Sequence, residues 1–152
     1  MAVTRAEIHG RIDLDRRTFD ALVAHARSDA PYEVCGLLAF SGDRADAFYP
    51  IPNADRSMTS YTMDREAMHK PYLKIDQSPN LGLGIFHSHT HTEAFPSPTD
   101  VEQAGFNPQA VFLIASLQDP EDPVLRAFDI VDGKITERTV FLDGAEAPAG
   151  KR

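Results

Sequence analysis

Apolar residues recur along this chain with two alternating periods, and the order of those periods lays out the fold. Ile8 to Leu14 suggests a first strand and Asp15 to Ser28 a helix, whose apolar positions Phe19, Leu22, Val23 and Ala26 fall at i, i+3, i+4 and i+7. Such a helix covers one face of a sheet. Two strand-like runs follow, Val34 to Phe40 and Ala45 to Ile51, joined by Ser41-Gly42-Asp43-Arg44 as a hairpin. After the polar stretch Asn53 to Ser60, Asp64 to Ile75 can form a second helix, which Pro71 should end or kink. Leu81 to His89 is an apolar run that suits a buried strand. Ser97 then caps a short helix with Pro98 at its first position. Three more strand candidates close the order: Ala110 to Ser116, Val124 to Ile130 and Ile135 to Phe141, the last two turned by Asp132-Gly133.

This mixture, without internal repeat, predicts one α/β domain of the α+β kind, with a mixed sheet flanked by helices, over residues 1–142. Asp143 to Arg152 is Gly, Ala, Pro and charge without periodicity and reads as a flexible C-terminal tail.

The chemistry concentrates in Gly84 to Asp100, where a His pair is followed by Ser and Asp at fixed distances. On a strand, residues two apart share a face, so His87 and His89 project the same way and can converge on one ion, while Ser88 points to the other side. His91 continues the alternation but lies about 13 Å from His87 on an extended strand, too far to share an ion. It is therefore left outside the ligand set, as a solvated rim histidine. Asp100 is the best third ligand, since Ser97 and Asp100 sit three apart on one face of the first turn of their helix, where both can face the histidines. Two His and one carboxylate suit a catalytic zinc that keeps its fourth position for water, although iron or another divalent metal would also be held.

A metal-activated water needs a base that is not itself a ligand. Glu33 stands out because it opens the apolar run Val34 to Phe40, and ionised carboxylates are rarely buried unpaired. Taken alone, it reads sooner as an edge residue in water. Cys35 shares its side of the strand and reads as a small buried hydrophobe, not as a reactive thiol.

Together, Glu33 in Glu-Val-Cys-Gly-Leu-Leu, His87-Ser-His89, Ser97 and Asp100 resemble the JAMM (MPN+) metalloprotease motif, written E, then HxH, then SxxD. That motif usually has a proline after the second histidine, where this chain has Thr90. The variant running from His87 to Asp100 is similar to a narrower bacterial branch, the Mec-type peptidases, which release cysteine from the ubiquitin-like sulfur carrier CysO. The likeness extends over Asn53 to Ser57 and Val131-Asp132-Gly133, and so from about Arg11 to Leu142.

The resemblance implies a cytidine-deaminase-like three-layer fold with one zinc ion per chain on His87, His89 and Asp100. It also implies Glu33 as general base and Ser97 as a hydrogen-bond donor to the developing oxyanion, beside its work as a helix cap. The implied substrate is the amide between the carrier's C-terminal Gly and a single cysteine, its extended tail lying against a sheet edge or loop. Two other readings stay open. The chain could process another ubiquitin-like modifier or sulfur carrier, or it could be a silent MPN scaffold, although such scaffolds typically lose site residues that are all present here.

Composition narrows the setting. At 152 residues and 42% hydrophobic, the chain buries one sizeable core, not two. Its single Cys allows no internal disulfide, and Met1 to Glu7 lack the apolar segment of a signal peptide, so the cytoplasm is the expected compartment. No run reaches membrane-spanning length. A net charge of -8 without clustered Lys or Arg argues against a nucleic-acid partner. Phe95 and Phe106 are candidates for exposed apolar contacts, either in a homodimer or where the carrier docks.

Overall fold

The computed structural model describes residues 10–147. Ile8 and His9 of the expected first strand, the stretch read for a signal segment, and residues 148–152 lie outside the described residues. In chain order the elements are β1 (Ile12–Leu14), α1 (Arg16–Ser28), β2 (Cys35–Ser41), β3 (Arg44–Ile51), α2 (Arg65–Asp76), β4 (Gly82–His89), α3 (Pro98–Ala104), β5 (Val111–Ser116), β6 (Val124–Val131), β7 (Lys134–Arg138), β8 (Val140–Leu142) and β9 (Ala145–Glu146).

Local chemistry explains most boundaries. Asp15 caps α1, its Oδ1 accepting from the Thr18 backbone N–H at 2.7 Å, and Asp64 caps α2 by accepting from Ala67 N–H at 3.0 Å. The β2–β3 hairpin turns at Gly42, whose φ of +60° suits a residue without a Cβ. Of the two outcomes expected at Pro71, an end or a kink, the first does not occur: α2 runs on to Asp76. Losing the Pro71 hydrogen bond costs roughly 3 kcal/mol. Burying Ile75, at about 1.5–3 kcal/mol, with Met68 and Tyr72 partly buried alongside, offsets it.

All nine strands form one mixed sheet in the order β7-β6-β5-β4-β2-β3-β1-β8-β9. β4 lies in its interior, antiparallel to β2 and parallel to β5. The run Ile135 to Phe141, expected as one strand, is divided at Thr139. β7 pairs with β6 at one end of the sheet, and β8 pairs in parallel with β1 near the other. One residue thus joins opposite ends, so the sheet curls back on itself, and the Thr139 carbonyl accepts from Ile12 N–H at 2.9 Å. Accumulated strand twist brings the ends together, and closure leaves fewer unpaired edge groups.

The start of the segment read as a tail takes part in the sheet. Asp143 to Ala147 turn through Gly144 into β9, which pairs with β8, and Ala147 N–H donates to the Val140 carbonyl at 2.8 Å.

The two sheet faces carry separate cores. On one, α1 places Leu22 and Ala26 against Leu38, Phe40, Phe86 and Leu113. Gly84 permits this: a Cβ there would lie 2.5 Å from Phe40 Cε2. On the other face α2 and α3 cover Leu37, Ile85, Ile114 and Phe128. The result is three layers, helix on sheet on helix, and the second face leads directly to the histidines.

Candidate metal centre

Strand alternation decides which way β4 presents its polar residues. Leu83 and Ile85 belong to the second core, so His87 and His89 emerge on the same face one and two steps further along. His87 is cross-strand neighbour to Cys35 on β2 and Ile114 on β5, and His89 sits beside Ser116. Flanked on both sides, the His87 ring has little freedom.

Asp100 reaches them from the first turn of α3. Ser97 Oγ accepts from Asp100 N–H at 3.1 Å, while Ser97 N–H donates to Asp100 Oδ2 at 2.9 Å, a reciprocal capping box. That same Oδ2 lies 3.1 Å from His87 Nε2 and 3.0 Å from His89 Nε2, and the two Nε2 atoms are 3.1 Å apart. All three residues are buried. A tetrahedral zinc with ligands near 2.0–2.1 Å spaces them about 3.3 Å apart, so the triangle fits such an ion after a small expansion.

The His89 tautomer fits as well. His89 Nδ1 lies 2.8 Å from the Glu93 carbonyl, which only accepts, so Nδ1 carries the proton and the Nε2 lone pair of the neutral ring is turned inward. His87 Nδ1 is buried without a hydrogen-bond partner, and Tyr61 stacks on that ring at 4.6 Å between centroids and 25° between planes.

Electrostatics follow from burial and these contacts. Burial alone would raise the Asp100 carboxyl, but hydrogen bonds from both histidines hold it well below the usual carboxylate range. Burial keeps the His87 imidazole below its ordinary value. For His89 burial acts in the same direction, but Asp100 and the Glu93 carbonyl outweigh it and the ring is raised.

Glu33 is only 4% exposed, its Oε1 has no hydrogen-bond partner, and burial pushes its carboxyl up to about 8. His89 pulls that value back and Asp100 adds to it, which places the carboxyl within electrostatic reach of the cluster. The backbone around it is closely tied: Glu33 N–H donates to Ser57 O at 2.8 Å, and Asn53 Nδ2 donates to Glu33 O at 3.0 Å. A buried, partnerless carboxylate oxygen beside a triangle of ligand atoms is what a cation with water would satisfy.

Of the sequence candidates, the structure brings His87, His89 and Asp100 into one buried cluster, the single metal-competent group among the described residues. Glu33 stands beside it. Ser97 reaches it through Asp100, with its hydroxyl turned to the α3 N-terminus. His91 is exposed and bonded to Thr90 at 2.8 Å, outside the cluster. Cys35 is fully buried, with burial pushing its thiol up to about 12, in keeping with an inert hydrophobe. Tyr61 and Asn53 were not legible as site residues. The one weak signal for Tyr61 is an aromatic closing an otherwise polar loop.

Against known proteins, the family described as prokaryotic homologs of the JAB domain matches residues 15–131. The CysO-cysteine peptidase of Mycobacterium tuberculosis is 42% identical over 123 residues, 80% of this chain and 84% of that protein. The desampylase of Haloferax volcanii is 34% identical over 113 residues, 70% of this chain and 81% of that protein. The solution structure of a protein from Desulfitobacterium hafniense superposes with a TM-score of 0.74 at 34% identity, covering 87% of this chain and 92% of that one. The match over most of the chain, with relatives that are named peptidases and with the fold and buried site just described, makes this protein a peptidase of the prokaryotic JAB-domain family.

Proposed function

We propose that the protein is a zinc metallopeptidase that hydrolyses the amide between the C-terminus of a ubiquitin-like sulfur carrier protein and cysteine. The carrying observation is the triangle of His87, His89 and Asp100 ligand atoms, about 3 Å on each side, with the buried Glu33 carboxyl, its Oε1 without a hydrogen bond, beside it. The substrate assignment is supported by the 42% identity to a CysO-cysteine peptidase.

In this reading His87, His89 and Asp100 hold one zinc ion per chain, with the fourth position open to water. Bound there, zinc supplies Lewis acidity, which acidifies water and polarises a carbonyl oxygen. Glu33 does the proton work: its raised affinity for protons suits it to accept one from water and pass it to the leaving amine of cysteine. Asp100 and Glu93 hold His89 with its Nε2 turned inward. The Ser97 hydroxyl accepts from Asp100 N–H and keeps its own proton free, so it can donate to the oxyanion. Burial of the cluster excludes bulk water and strengthens each of these interactions.

A second reading, cleavage of another ubiquitin-like modifier, is favoured by the 34% identity to a desampylase. No helix among the described residues is long and apolar enough to cross a membrane. The cytoplasmic setting belongs to the proposal and is supported by the lone, unpaired Cys35. So does a docking role for Phe106, which is 85% exposed, toward the carrier or a second copy of the chain.

The test is mass spectrometry of a sulfur carrier bearing a C-terminal cysteine, incubated with zinc-loaded protein or with Glu33→Gln. Loss of one cysteine with the wild type alone supports the first reading. Release of a lysine-linked modifier with the cysteine adduct left intact supports the second.

A further inference from the structure

Past its apolar start, β4 sorts its polar side chains by parity. His87 and His89 face the ligand cluster, and Ser88 and Thr90, the latter one residue past the end of the strand, turn their hydroxyls to the segment that carries Glu33. Ser88 is fully buried and Thr90 is 8% exposed.

Both hydroxyls grip that segment. Val34 N–H donates to Ser88 Oγ at 2.9 Å, and Ser88 N–H donates to Val34 O at 3.1 Å, fixing the residue after Glu33. Thr90 Oγ1 donates to Pro31 O at 3.0 Å, fixing the chain two residues before it. A carbonyl can only accept, so the single Thr90 proton is committed to Pro31. The 2.8 Å contact with His91 Nδ1 must then run the other way, the ring N–H donating to Thr90 Oγ1. Exposed His91 is thus the outer link of a chain from ring to hydroxyl to the Pro31 carbonyl.

The grip matters because Glu33 Oε1 has no hydrogen bond of its own. The position of the carboxylate is inherited from its backbone, which is held on one side by Ser57 and Asn53 and on the other, through Pro31 and Val34, by the segment that carries the histidines.

We propose that Thr90, together with Ser88, is a positioning residue that sets the Glu33 carboxyl against the His87–His89 face. This rests on the reading of Glu33 as the base. A proline at position 90 offers no hydroxyl and could not make the tie. Loss of the tie lets the segment 31–33 drift, and a misplacement of about 1 Å at a reacting group can cost on the order of 100-fold in rate.

The experiment compares wild type, Thr90→Val and Thr90→Ser, all zinc-loaded, by three readouts. These are zinc affinity, kcat and KM on the cysteine-bearing carrier, and amide hydrogen exchange at Glu33 and Val34. Thr90→Val is expected to lower kcat by about 10- to 100-fold while KM and zinc affinity stay within about 2-fold. Exchange at the Glu33 amide should quicken in Thr90→Val, and Thr90→Ser should restore both rate and protection. Wild-type kcat and exchange in Thr90→Val, or a Thr90→Ser variant as impaired as Thr90→Val, overturns the proposal. Should Thr90→Val not fold, Thr90→Ala carries the same expectations. If the wild type itself releases no cysteine, the functional reading falls, and the amide exchange of Glu33 still decides whether Thr90 holds it.

Discussion

His87 Nε2 and His89 Nε2 lie 3.1 Å apart inside the protein, and Asp100 Oδ2 closes the triangle. His89 uses its Nδ1 proton on the Glu93 carbonyl, so a second proton on that ring goes to Nε2, inside the triangle. Burial opposes that second proton, but Asp100 and the Glu93 carbonyl outweigh burial and raise the ring's affinity for it. Protons and metal therefore compete for one place. Loading zinc near neutral pH should release protons from His89 and Glu33, measured by calorimetry in buffers of different ionisation enthalpy. A binding heat independent of buffer would contradict this.

Glu33 should impose a pH dependence on the metal-free fold. Its folded value of about 8 lies above the ordinary 4.5, so the folded chain retains a proton that the unfolded chain has lost between those limits. Stability from this group is highest below pH 4.5, falls as pH rises through the window and levels off above 8. Glu33→Gln should remove that slope, and be more stable than wild type at the alkaline end. Urea denaturation of chelator-treated proteins across the window checks it, and parallel profiles would refute the assignment.

Ser97 offers a way to separate capping from chemistry. Ser97→Ala should lose about 1 kcal/mol of stability through the cap. It should also lose roughly 100- to 1,000-fold in kcat if the hydroxyl serves the oxyanion. Ser97→Asp keeps a capping acceptor but has no proton to donate at neutral pH, so stability should largely return and activity should not. Thermal melts and initial rates on the same preparations decide, and full activity in Ser97→Asp would reduce Ser97 to a cap.

Cys35 should behave as packing. Buried, with a thiol raised to about 12 and directed to the Ile51 carbonyl at 3.4 Å, it should resist alkylating reagents until the protein unfolds. Labelling that is fast in the folded state would show that the thiol is accessible after all.

How much of this was legible in the sequence varies with the range of the interaction concerned. Spacing sufficed wherever the geometry is local: the period-two run placed His87 and His89 on one face, and Ser97-Pro98 announced the start of α3. Glu33 needed the resemblance, because its proximity to His89 depends on the β2–β4 register, which no local pattern encodes. The break at Thr139 was hidden because Ile135 to Phe141 is uniformly strand-like, and only closure of the sheet requires the chain to change ends there. Pro71 does not end α2 because its local cost is outweighed by what Ile75 buries. Asp143 to Ala147 looked featureless since β9 has no core-facing pattern and is held by backbone pairing to β8.

The most direct test of the central claim is zinc titration of chelator-stripped protein by calorimetry, comparing wild type, Glu33→Gln, His87→Ala and Asp100→Ala. One tight site per chain is expected in wild type and in Glu33→Gln. In His87→Ala and Asp100→Ala, affinity should fall by more than the roughly 10- to 100-fold that loss of a supporting partner costs. Absence of tight binding in the wild type, or undiminished binding in Asp100→Ala, would contradict the central claim.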